Sequence, residues 1–261
     1  MKQLFADQPR GVVILVHGAM EHKGRYDQLA NRWVQEGFHC IYGDLPAHGE
    51  FAGERGHIRS FQEYMDTIVE WIKHATTFHL PIFLIGHSMG GLSIIRTLEE
   101  NTIVPVDGVI LSSPCLGIKN PPAKPLKILA KGLNIIAPRM KFNGQLDPQT
   151  VTREMAVVRQ DINDDLMLKK VSVRWYSEFE KGIRLAFERI SKYPNIPTLV
   201  MQAGDDKIVD KVQTKKWFDR LMIHEKSYKE WDHLYHEIFN DPEREDVFQY
   251  AKGFVDIHIR K

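Results

Sequence analysis

The chain has 261 residues, 43% of them hydrophobic, with two cysteines and a formal net charge of +1. That length holds one large α/β core without a second domain, and the near-neutral charge excludes an electrostatically driven nucleic-acid binder. Cys40 and Cys115 lie in apolar surroundings without metal or redox spacing, which predicts buried small hydrophobes and no disulfide framework.

In chain order, residues 1–10 lack the apolar core and cleavage site of a secretory signal, and no apolar run is long enough to span a bilayer. A cytoplasmic protein is expected, one still able to touch the inner face of a membrane. Gly11 to Val16 reads as a strand ending at His17-Gly18. Tyr26 to Glu36 has helical spacing and stops at Gly37, and Phe38 to Tyr42 is the next strand. Ser60 to Thr77 reads as a long helix, with Ser60 and Glu63 forming a capping box. Pro81 to Ile85 is a buried strand, followed by Gly86-His87-Ser88-Met89-Gly90 and a helix from Gly91 to Glu100. Further strands fall at Gly108 to Leu111, Thr198 to Gln202 and Glu225 to Tyr228, and Asp246 to Ile259 closes the chain as a helix. This alternation predicts an α/β fold: a mostly parallel central sheet with helices on both faces and ligands at the carboxyl ends of the strands. Residues 116–193 interrupt the alternation with helical spacing and little strand signal. They are expected to form a helical cap subdomain inserted in a single domain, 1–261.

A bare G-x-S-x-G arises by chance in roughly one chain of this length in ten, so its context decides. A strand before and a helix after it place Ser88 on a sharp turn at a helix N-terminus, the geometry of an acyl-transfer nucleophile. Such a serine needs a base and an acid that orients the base, in the order Ser, Asp or Glu, His. Asp205 and Asp206 follow a late strand, and the Asp-x-x-Val spacing fits Asp206 better. His233 and His236 follow the last strand. His236, beside Glu237-Ile238-Phe239 and the start of a short helical segment, fits the base better. Met89 and Ala19 are the expected backbone donors of an oxyanion hole. No metal or cofactor is required, and His22, His48 and His57 have no recognisable ligand spacing.

Together these residues are specific. His17 to Tyr26, Gly43-Asp44-Leu45-Pro46-Ala47-His48-Gly49, Arg55 to Phe61, Gly86 to Gly91 and the contexts of Asp206 and His236 resemble monoacylglycerol lipases. Within that group they resemble the bacterial phospholipase or lysophospholipase branch of YtpA-like proteins. Ala47 stands where the family's loop has a glycine. The resemblance implies an α/β-hydrolase acting on single-chain lipid esters beneath a cap. From Lys119 to Lys141 six basic residues occur without an acid: Lys119, Lys124, Lys127, Lys131, Arg139 and Lys141. Leu126, Leu129, Leu133 and Ile136 recur at helical spacing, as expected of a cap helix that packs on the body or lies on an anionic membrane. Met140, Phe142 and Trp175 are candidate substrate-binding residues. Two other readings are a small-ester or thioester hydrolase, and a hydrolase-fold binding protein. The complete Ser88, Asp206 and His236 set argues against the last.

Overall fold

The structure, a computed structural model, describes residues 1–101, 105–144 and 146–259, with the side chains of all but 124 and 126–128. Its centre is a seven-stranded sheet in the order β1-β3-β2-β4-β5-β8-β9. The strands are β1 (Lys2–Leu4), β2 (Gly11–Val16), β3 (Phe38–Tyr42), β4 (Ile82–His87), β5 (Gly108–Ser112), β8 (Thr198–Ala203) and β9 (Lys226–Trp231). All pairs are parallel except β1 on β3. β1 was not anticipated; three half-buried residues carry too little pattern to be read.

Side chains alternate across the sheet and divide the core. Val13 and Leu15 face α1 (Asp27–Gln35) and α9 (Arg244–His258). Val12, Ile14 and Val16 face α2 (Gln62–Thr76), α3 (Met89–Glu100), α7 (Val173–Glu188) and α8 (Lys211–Arg220). Helices therefore cover both faces, as expected. The helix bounds follow local signals. Gly37, at φ +83°, stops α1, and Glu63 Oε1 accepts the Ser60 amide at 3.2 Å ahead of α2. The chain leaves β2 toward β3 on one side and returns as β4 on the other. The crevice at the ends of β2 and β4 is thus a switch point where ligands bind in such sheets.

The insertion lies between β5 and β8. It holds α4 (Lys124–Ile136), α5 (Pro148–Val151), α6 (Met155–Ile162) and α7. It also holds an antiparallel pair, β6 (Lys141–Asn143) with β7 (Lys170–Ser172), in a stretch expected to be helical with little strand signal. Two three-residue strands, far apart in the chain, leave no local periodicity to read. On α4, Leu129 and Ile136 are exposed and Leu133 is half-buried, so its apolar face turns largely outward. The Lys124, Leu126 and Lys127 side chains lie outside the described residues. In contrast, Trp175, Phe179 and Ala186 of α7 belong to the body's core. No helix among the described residues is long and apolar enough to cross a membrane.

Candidate active site

Ser88 joins β4 to α3 in a backbone conformation that L-residues avoid, φ 52° and ψ −116°. The surroundings impose it. The Ser88 amide donates to Ser112 O at 2.9 Å, and its carbonyl accepts from Leu92 N at 3.1 Å and Cys115 N at 3.0 Å. A methyl group on Gly90 would strike the carbonyl oxygens of Val16 and His17, and one on Gly86 would strike the Gly90 backbone. The two glycines of the pentapeptide therefore let α3 pack against the β2 end.

His236 reaches the site from the loop after β9. Its Nδ1–H donates to Asp206 Oδ2 at 2.8 Å, and both side chains are buried. Asp206 Oδ1 accepts from the amides of Ile208 at 2.9 Å and Val209 at 2.8 Å, and Oδ2 also accepts from Gln202 Nε2 at 3.1 Å. Burial acts to raise the Asp206 pKa, but the His236 charge and these hydrogen bonds outweigh it and hold the group below its usual value. Burial likewise acts to lower His236, yet Asp206, then Glu237 and Glu21, hold it above 6.5. Ser88 and His236 line one cavity. The rival pair stands outside: the His233 and Asp205 side chains are 86% and 58% exposed. The segment after His236 is a run of turns, not the short helix expected; Asn240 N closes a single turn on Glu237 O at 2.8 Å, and the Glu237 amide donates to Val151 O at 2.9 Å.

Ala19 lines the same cavity, and Met89 opens α3, where first-turn N–H groups lack helical acceptors. The loop that carries Ala19 is held by His17, whose Nδ1–H donates to Gly18 O at 2.7 Å while Nε2 accepts from Leu45 N at 2.9 Å. Burial, with His48 beside it, keeps His17 well below its ordinary pKa, so this neutral tautomer persists. In the neighbouring loop, Ala47 adopts φ 69°, the left-handed conformation a glycine takes without cost. Cys40 and Cys115 are buried free thiols, and burial pushes Cys115, behind Ser88, up to about 12.

Met140, Phe142 and Trp175 do not line this cavity. Met140 and Phe142 sit on the outer side of the insertion, 46% and 38% exposed. Trp175 is core: its ring stacks on Phe179 and its Nε1–H donates to Tyr64 Oη at 2.8 Å. Met20, Leu146, Val151, Met167 and Leu168 line the site instead. They were missed because no periodicity marks irregular chain that folds back over a site. The cavity measures about 30 Å³, room for about one water molecule. Glu21, His87 and Glu237 have the spacing to hold a cation, but the Arg25 guanidinium already bonds both carboxylates. His22, His48 and His57 bond separately to Asp164, Pro46 O and Ser172.

A parallel sheet, a strained serine at its switch point and a histidine–aspartate pair beside it define a protein of the α/β-hydrolase fold. Residues 7–243 match the serine aminopeptidase S33 family, Hydrolase_4, and the chain belongs to that family. It is 49% identical over 254 residues to a Bacillus subtilis protein named phospholipase YtpA, covering 97% of this chain and 98% of that one. It is 27% identical over 253 residues to a monoacylglycerol lipase of Mycolicibacterium smegmatis, covering 96% and 90%. The crystal structure of Paleococcus ferrophilus monoacylglycerol lipase superimposes with a TM-score of 0.87 at 31% identity, covering 98% of this chain and 99% of that one.

Proposed function

We propose that this chain is a serine carboxylic-ester hydrolase that cleaves the acyl ester of single-chain lipids, monoacylglycerol or lysophospholipid, through an acyl-enzyme on Ser88. The observation that carries the reading is the buried 2.8 Å His236–Asp206 hydrogen bond beside a serine held in a strained turn on the same cavity. With Nδ1–H committed to Asp206, Nε2 is the basic nitrogen of His236. It takes the Ser88 proton as Oγ attacks the ester carbonyl, and the Ala19 and Met89 amides receive the oxyanion. Asp206 stabilises the imidazolium, which then protonates the leaving alcohol. Water activated by the same Nε2 releases the fatty acid.

The apolar wall of Met20, Leu146, Val151, Met167 and Leu168 suits an acyl chain, and the names of the relatives support a lipid ester. A cavity of about 30 Å³ requires the lining to part before a chain of many carbons enters. In this reading residues 1–261 form one hydrolase domain and 116–193 its cap. The cap's outer face, where Leu129, Ile135 and Ile136 are exposed among basic residues, meets an anionic membrane from the cytoplasmic side. The small cavity also favours a second reading, a short-acyl esterase or thioesterase.

A fluorophosphonate probe and a p-nitrophenyl ester series test the proposal together. Labelling of the native chain that vanishes in Ser88→Ala, with faster cleavage of esters of eight or more carbons than of acetate, is expected. Folded protein that takes no label ends the hydrolase reading, and a preference for acetate ends the lipid one.

A further inference from the structure

Along one wall of the cavity, where Glu21, Asp161 and Glu237 line it, lies a buried ionic cluster that takes no bond or proton in the proposed chemistry. All five N–H donors of the Arg25 guanidinium are engaged with carboxylates. Nε and Nη2 donate to Asp161 at 2.9 and 2.6 Å, Nη1 and Nη2 to Glu237 at 2.9 and 2.8 Å, and Nη1 to Glu21 at 2.9 Å. The four side chains are each no more than 7% exposed. Their three acids come from three functional segments. Glu21 follows the loop of Ala19, and its Oε1 accepts the Gly18 amide at 3.1 Å. Glu237 is the residue after His236, with Oε2 also accepting from Asn240 at 2.9 Å. Asp161 stands on α6, in the insertion.

We propose that Arg25 is a positioning residue that makes the seating of α6 over the site and the aiming of the Ala19 amide a single event. The inference rests on the ester-hydrolase reading above. Two further bonds link the same segments: Leu168 N donates to Met20 O at 2.9 Å, and Glu237 N to Val151 O at 2.9 Å. The guanidinium is suited to the task because its planar fork bonds two carboxylates bidentately, which an ammonium cannot do. If α6 lifts, Asp161 leaves and two donors lose their partner. Arg25 then shifts toward Glu237, and Glu21 loses the anchor through which it holds the Gly18 amide, one peptide before the Ala19 amide. An oxyanion donor that is off target costs rate, not affinity. Burial, opposed by Arg25, leaves Glu21 above the usual carboxylate range. Arg25 draws Glu237 below it against the effect of burial.

The test measures kcat and KM on p-nitrophenyl butyrate per active site, with sites counted by fluorophosphonate titration, for the native chain, Arg25→Lys, Asp161→Asn and the double variant. Arg25→Lys is expected to lower kcat about 100-fold and Asp161→Asn about tenfold, with KM within about threefold. The double variant is expected to be no slower than Arg25→Lys, because both substitutions cut one tie. Unchanged kcat per titrated site in Arg25→Lys, with only the melting temperature or the titratable fraction reduced, makes the cluster merely structural and overturns the proposal. So do effects that multiply in the double variant. If Arg25→Lys does not fold, Asp161→Asn carries the same test alone. A native chain that takes no label and cleaves no ester fails the hydrolase reading instead, so the two failures are distinct.

Discussion

Two parts of one insertion are built on opposite principles. Residues 146–168 are stitched to the loops of the site: Leu168 N to Met20 O, Glu237 N to Val151 O, His22 Nε2 to Asp164 at 2.8 Å, and Thr152 Oγ1 to Asp241 at 2.9 Å. Val151, Val158 and Leu168 are buried there. The α4 arm leaves Ile135 and Ile136 about four-fifths exposed, at 82% and 79%. Its side-chain ties to α7 include Asn134 to Ser177 and Arg174 to Asn134 O, both at 3.2 Å. The difference teaches that the insertion is not one lid. Its inner half lines the cavity that holds Ser88 and His236, and its outer half presents an apolar surface that the other described residues leave exposed.

The contrast can be broken at several points. The largest effect belongs to the acid that pairs with His236, outside the insertion. Asp206→Asn removes the orienting charge and lowers kcat about 10⁴-fold in a steady-state assay. It also moves the acid limb of the rate profile. His236 must be neutral to act as base, so the rate rises with pH through its pKa, which Asp206 helps hold above 6.5. Without that charge, burial dominates and the limb shifts to lower pH. Next, Leu168→Ala in the inner half should cost about 2–4 kcal/mol of stability in urea unfolding and raise KM for long-chain esters. Smallest is Ile135→Glu on the arm. It should change stability by no more than about 0.5 kcal/mol and leave hydrolysis of a soluble butyrate ester unchanged, while weakening flotation with anionic vesicles. Equal losses from Leu168→Ala and Ile135→Glu would erase the distinction.

Much of the site could be read from sequence because its parts answer to local rules. A serine forced into φ 52° needs small neighbours, and Gly86 and Gly90 announce it. Asp206 and His236 were separated from Asp205 and His233 by spacing and chain order, and burial separates the pairs in the same way. The strand at Gly11 to Val16 was equally legible as a continuous apolar run, and all six residues are buried. What escaped reading is held by tertiary contacts. Arg25 and Glu21 lie in a segment whose resemblance was noticed, but nothing near Asp161 signals that it meets them across the fold. Trp175 was a candidate for the substrate site, with core packing the other role open to it. Its partners Tyr64 and Phe179 make it core, a distinction only packing draws. β6 and β7 pair across 26 intervening residues, beyond the reach of any local pattern.

The most direct test of the account is to trap its intermediate. The native chain is mixed with excess monoacylglycerol, quenched in acid within milliseconds, digested and mapped by mass spectrometry. The account predicts one fatty-acyl group on the peptide carrying Ser88, absent from His236→Ala under the same conditions. An acyl group on any other residue, or turnover of the lipid without an acylated peptide at any quench time, contradicts it.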